Sequence, residues 1–297
     1  MIERDTIHVK RRRKTGLLAL LTRVLLFFLF LFALQLFWAH RGWHNRSSAE
    51  EMPIGPILSK EAFQDEDYKL LFSQTGLGKS AIDFLRGQEN GGNSKILYVQ
   101  DQFFEKHSVQ CTPLLGWFTR VDILVNQNRV PIKGPPLISI QPGDILISRS
   151  THSLGWIHGH AALVLDEENT LETLALGQNS IISSTDSWRK YSNYAVLRIK
   201  DATPELRMQV AEYAKNHLLG IPYRLLSGML WDKFIEEDSR FFGAQCAYLV
   251  WYAWAEFGVD VDGDGGQMVT PMDLMLSDKV EIVQVYGMPT DRFNTAS

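Results

Sequence analysis

From residue 145 to residue 199 the sequence is a series of short apolar runs separated by turn residues, without alternation between strand and helix patterns. Ile145 to Ser148, Ala161 to Leu165, Leu171 to Leu174 and Ala195 to Ile199 are such runs, and Ile96 to Val99 and Trp117 to Val125 repeat the pattern upstream. Runs this short between Gly, Pro, Asn, Asp and Ser read as strands. Two helical patterns stand out against them. The first runs from Pro204 to about Leu218, with Thr203 as N-cap, Pro204 at the first helical position and Gly220 just past the end. The second runs from about Ala244 to Phe257, with Cys246, Leu249, Val250, Ala253, Trp254 and Phe257 at helical spacing and Gly258 as a stop. Strands with a few helices and no βαβ order predict an α+β domain.

The N-terminus carries a different signal. Lys10, Arg11, Arg12, Arg13 and Lys14 precede 23 residues, Leu17 to Ala39, broken only by Thr22, Arg23 and Gln35 among apolar neighbours. A helix of that length matches the roughly 30 Å of a bilayer core. Basic residues before such a run stay cytoplasmic, and Trp38 and Trp43 suit the far interface. The expectation is therefore a single-pass anchor with everything after His40 extracytoplasmic, in a periplasm or at a cell surface. A cleaved signal peptide, with Ser47 and Ala49 at the cleavage site, is the alternative, although its apolar region spans only about 7–15 residues. The domain boundaries that follow are a cytoplasmic tail at 1–16, the anchor at 17–39 and a polar linker at 40–65. An N-terminal extension of unassigned role at 66–139 comes next, then the α+β domain at 140–297. Within the extension, Asp67 to Leu85 has helical spacing and Gln88 to Ser94 has loop composition.

A formal net charge of only −4 over 297 residues provides no field for nucleic acid. The two cysteines, Cys111 and Cys246, exclude a disulfide framework and a Cys-rich zinc site, leaving one bridge or two free thiols.

Cys246 falls in the first turn of its helix, where unpaired N–H groups and the helix dipole favour a thiolate. His160 opens an apolar strand in Gly159-His160-Ala161-Ala162-Leu163-Val164, preceded by Pro142-Gly143-Asp144 at the turn into an earlier strand. Glu172 lies twelve residues after His160. A hairpin centred near Asp166 sets the two opposite one another on one face, where the carboxylate can orient the imidazole. A small buried hydrophobe at Cys246, a backbone-satisfied histidine and a solvent-facing glutamate are the plain structural alternatives. Asn179 and Gln178 are substitutes for Glu172.

In this order these segments resemble the circularly permuted NlpC-type papain-like hydrolases, which include a YiiX/YebB-like group and the lecithin retinol acyltransferases, and in which His precedes Cys. Gly220-Ile221-Pro222-Tyr223 and Thr270-Pro271-Met272-Asp273-Leu274 are similar to the Gly-x-Pro-Tyr and Thr-Pro-x-Asp-Leu elements of that group. The resemblance covers roughly residues 140 to 288. It departs at Cys246-Ala247-Tyr248-Leu249-Val250, where the group carries Cys-Ser-Glu-Leu-Val, and nothing in 66–139 matches. It implies an antiparallel sheet or partial barrel packed on a nucleophile helix, and a Cys246–His160–Glu172 thiol hydrolase. The Cys246 backbone N–H and the Tyr223 hydroxyl would hold the oxyanion. It implies no metal and no cofactor, and amide bonds of peptidoglycan peptides as substrate. Acyl transfer or deacylation on a lipid, and a catalytically silent envelope binding module, are the other readings.

Three further patterns compete. Gly76-Leu77-Gly78-Lys79-Ser80 is like a phosphate-binding loop but has Ser73 where the first glycine is required. Asp260 to Gly265 begins like a calcium loop, yet position twelve is Pro271 rather than glutamate, so a tight acidic turn is expected. Cys111 with His152, His158 or His160 would be the unpermuted order, but Thr112-Pro113 and the β-like run after it do not make a nucleophile helix.

Overall fold

The computed structural model describes residues 18–34, 50–115, 119–153, 156–225, 243–290 and Phe293. The chain divides into two units, one of residues 1–44 with 154–156 and one of the remainder. In the first, the described part of the apolar run is a helix, α1, over residues 18–34, with exposed side chains. No helix among the described residues is long and apolar enough to cross a membrane. This corrects the expected transmembrane anchor and, with it, the single-pass, extracytoplasmic placement. The basic cluster, Trp38, Trp43 and the cleavage site lie outside the described residues.

The second unit is mixed α+β with two antiparallel sheets. Four helices open it: α2 (Gly55–Leu58), α3 (Asp65–Thr75), α4 (Lys79–Arg86) and α5 (Gly92–Phe104). Strands β1 (Ser108–Leu115), β2 (Thr119–Val125), β4 (Thr151–Ser153) and β5 (Trp156–Ile157) form one sheet in the order β1-β2-β4-β5, while β3 (Ile145–Ser148) lies in the other. The larger sheet adds β6 (His160–Val164), β7 (Asn169–Glu172), β8 (Ile181–Ser184) and β9 (Tyr194–Ile199), followed by α6 (Pro204–His217), α7 (Cys246–Ala255), α8 (Pro271–Leu276) and β10 (Val280–Tyr286). Its order is β10-β9-β3-β6-β7-β8.

Alternation along β3, β6 and β9 builds two cores. Ile145, Ile147, Ala161, Leu163, Ala195 and Leu197 face one way and pack with α6 and α7 through Val210, Ala214, Leu249, Val250 and Trp254. Leu146, Ala162, Val164 and Val196 face the other way and pack with Leu71, Ile82, Leu85, Ile96 and Val99 of α3 to α5. Both faces of the central strands are covered, which is why they read as unbroken apolar runs rather than alternating ones. Ile96 to Val99, expected as a strand, is the centre of α5. Besides Gly92 at its start, its buried positions are Ile96, Val99, Gln100 and Phe103, at helical spacing.

The glycines of the phosphate-loop-like segment serve backbone contact. Leu77 bridges Gln284, and Gly78 N–H donates to the Val283 carbonyl at 2.8 Å, so residues 76–78 extend the sheet beyond β10. A Cβ on Gly78 would stand 1.8 Å from the Ile282 carbonyl oxygen and one on Gly76 2.0 Å from that of Val285. The acidic segment is a tight turn in which Asp260 Oδ1 accepts from Asp262 N–H at 3.1 Å and from Trp251 Nε1 at 2.8 Å.

Candidate active site

The Pro142-Gly143-Asp144 turn is locked onto the sheet. Arg198 of β9 meets fully buried Asp144 side-on, Nε to Oδ1 at 2.9 Å and Nη2 to Oδ2 at 2.7 Å. Asp144 Oδ2 also accepts from Gln141 N–H, closing the turn. From there β3 pairs with β6, placing Ser148 opposite His160. Gly159 is in the left-handed region (φ 73°) and its position could not carry a Cβ, which would fall 2.8 Å from the Ser148 carbonyl oxygen.

His160 and Glu172 meet, though not in the expected register. Leu163 pairs with Leu171 and Val164 with Thr170, so the hairpin centres on Glu167 instead of Asp166. Glu172 then lies diagonal to His160 on the same face instead of directly opposite, still within reach of a long side chain. His160 Nε2 lies 2.6 Å from Glu172 Oε2, and the two residues are only 2% and 3% exposed.

Cys246 lies beside the same ring. The first residue of α7, Cys246 is 7% exposed and hydrogen-bonds His160. By alternation His160 shares the face of Ala162 and Val164, whereas α7 packs on the other face. The contact is possible because His160 is the end residue of its strand. Burial presses the His160 pKa down, but the hydrogen bonds to Cys246 and Glu172 outweigh it and push it up to about 10. The imidazole is thus held as imidazolium between a sulfur and a carboxylate.

Three neighbours that sequence reasoning did not single out complete the surroundings. Trp188 stacks on the His160 ring, with centroids 5.2 Å apart and planes 13° from parallel. Tyr191 packs edge-on against Trp188, and burial together with Glu172 and Cys246 raises its pKa far above that of an ordinary phenol. Gln245, the N-cap of α7, accepts from Ala247 N–H at 2.8 Å and donates to the Val269 carbonyl. The Cys246 thiol lies 3.6 Å from Gln245 Oε1. Only Gln245 was within reach of a sequence signal, as the residue before a helix start.

Tyr223 is near the thiol as well: burial first, then Cys246, raises its pKa well above the ordinary value. Its backbone N–H donates to Gln178 at 2.8 Å and it bridges Ala244, two residues before the cysteine. Gln178 and Asn179 hold this segment from below through backbone pairing, and neither replaces Glu172. Thr270 and Asp273 form a reciprocal cap on α8, with Asp273 N–H donating to Thr270 Oγ1 and Thr270 N–H to Asp273 Oδ2.

Cys111 does not join this site. Both cysteines are free. Cys111 lies on β1, where burial pushes its thiol pKa up against the pull of Arg120, and its histidine neighbour is His152. His158 bonds Ser153 through Nε2 and the Gly159 carbonyl through Nδ1.

No protein-family model matches the chain, and no curated protein matches it. Among solved structures it is similar to the crystal structure of metalloprotein yiiX from Escherichia coli O157:H7, DUF1105, at 17% identity and a TM-score of 0.36, over 48% of this chain and 96% of that one.

Proposed function

We propose that the chain is a cysteine hydrolase acting on an amide carbonyl, with Cys246 as nucleophile, His160 as general acid and base and Glu172 as the carboxylate that orients the imidazole. The observation that carries this reading is the His160 ring held between the Cys246 thiol and Glu172 Oε2. The Cys246 sulfur attacks the carbonyl carbon, and the C–N bond breaks as imidazolium donates its proton to the departing nitrogen. Water then attacks the thioester, gives a proton to His160 and releases the acid. Cys246 is the first helical residue, so its N–H has no intrahelical acceptor and can hold the oxyanion, with the Tyr223 hydroxyl as second donor. Peptide amide bonds of peptidoglycan are the proposed substrate, an assignment that rests on the resemblance of the motifs around His160, Tyr223 and Cys246.

The test is to incubate the purified full chain with muropeptides and, separately, with phospholipid vesicles, following product and the intact mass of the protein. Muropeptide cleavage with a transient acyl adduct on Cys246, both lost in Cys246→Ala, is expected. Acyl adducts from phospholipid alone would replace the amide reading with lipid deacylation. Absence of turnover and of any adduct would leave the chain as a binding module.

A further inference from the structure

A second constellation lies on the smaller sheet and shares no residue with the His160 site. Cys111 of β1 pairs directly with Asp122 of β2, and Arg120, two residues before Asp122, pairs with His152 of β4. Directly opposed residues and residues two apart share a face, so these four side chains converge on one side of three adjacent strands. Cys111 Sγ is 3.6 Å from His152 Nε2, and the same nitrogen is 3.4 Å from Asp122 Oδ1. All three ligand atoms lie within 4.8 Å of one another.

We propose that Cys111, Asp122 and His152 bind a borderline-soft divalent cation, Zn²⁺ or Co²⁺, with its fourth position filled by water. The spacing supports this over a hydrogen-bonded network. With bonds of about 2.3 Å to sulfur, 2.0 Å to nitrogen and 2.0–2.2 Å to oxygen, a tetrahedral ion sets its S–N edge near 3.6 Å and its N–O edge near 3.3 Å. The two measured separations match those edges. As a hydrogen bond the 3.4 Å contact to the carboxylate would be long, and one Nε2 would have to serve both sulfur and carboxylate. A thiolate with an imidazole selects zinc-like ions over Mg²⁺ or Ca²⁺, which take oxygen ligands. Thiolate and carboxylate together neutralise a divalent ion, and Arg120 Nε, donating to Cys111 Sγ at 3.0 Å, is the outer partner that steadies the sulfur. Cys246, His160 and Glu172 do not form such a cluster among the described residues.

Titration of the metal-free full chain with Co²⁺, followed by X-ray absorption of the zinc-loaded protein, tests the assignment. One equivalent should bind with a thiolate-to-cobalt charge-transfer band, and the zinc shell should contain one sulfur among nitrogen and oxygen neighbours. Cys111→Ala should lose the band and Cys246→Ala should keep it. The near-isosteric Asp122→Asn should weaken binding by more than the roughly 10-fold to 100-fold that follows loss of an outer-shell partner, with circular dichroism unchanged. Failure of the wild-type chain to take up one equivalent, a shell without sulfur, or a band that depends on Cys246 instead of Cys111 would overturn the proposal.

Discussion

His160 Nε2 and Glu172 Oε2 stand 2.6 Å apart in a site from which water is almost wholly excluded. A charged hydrogen bond in such surroundings is strong, and an unpaired member would be costly. Glu172 is thus one of the two neighbours that raise the His160 pKa.

Glu172→Gln is expected to lower kcat by about 10-fold to 10⁴-fold, the range set by loss of an orienting carboxylate. The variant should also move the alkaline limb of the pH–rate profile to lower pH, because His160 loses one of the two contacts that raise its pKa. A purely structural role for Glu172 would lower the amount of folded protein and leave that limb in place.

The same shift predicts a stability profile. A histidine at about 6.5 in the unfolded chain and about 10 in the fold binds one more proton when native. Its contribution is complete below about pH 6.5 and is lost as pH rises through about 10, with a slope of up to about 1.4 kcal/mol per pH unit between. Urea unfolding at several pH values should show that decline, and His160→Gln should flatten it.

Arg198→Ala leaves the Asp144 carboxylate buried without its cation. A loss of about 3–5 kcal/mol is expected. Exchanging both partners for apolar residues, Arg198→Met with Asp144→Leu, should recover much of it, because no unpaired charge then remains. Denaturant unfolding of the single and double variants measures the difference.

Gly78→Ala places a methyl group against the Ile282 carbonyl, 1.8 Å from its oxygen. The strand extension beyond β10 must shift, at an expected cost of at least about 2 kcal/mol, with no change in nucleotide affinity. Equilibrium unfolding and a nucleotide-binding titration check both halves.

What was legible in the sequence follows what is local. The ends of α6 and the cap at Thr203, whose hydroxyl accepts from Leu206 N–H, are written in neighbouring residues. So is the position of Cys246 at a helix start. The His160–Glu172 contact was within reach because both residues belong to one hairpin, but a centre one residue away changes the pairing from direct to diagonal. α5 was misread because Ile96, Leu97, Tyr98 and Val99 are contiguous and strand-like, whereas burial selects only Ile96 and Val99 of the four. Trp188 reaches His160 across 27 intervening positions of chain, and no spacing rule signals such a contact.

The join between residues 76–78 and β10 spans about 200 residues of chain. Until the last strand leaves the ribosome, the hydrogen-bonding edge of Gly76 to Gly78 has no partner, and β9 lacks its outer neighbour. Closure of so long a loop comes late and slowly. The nascent chain must therefore carry an open strand edge while about 200 residues are made, which makes β10 the clasp of the domain and its removal a route to aggregation.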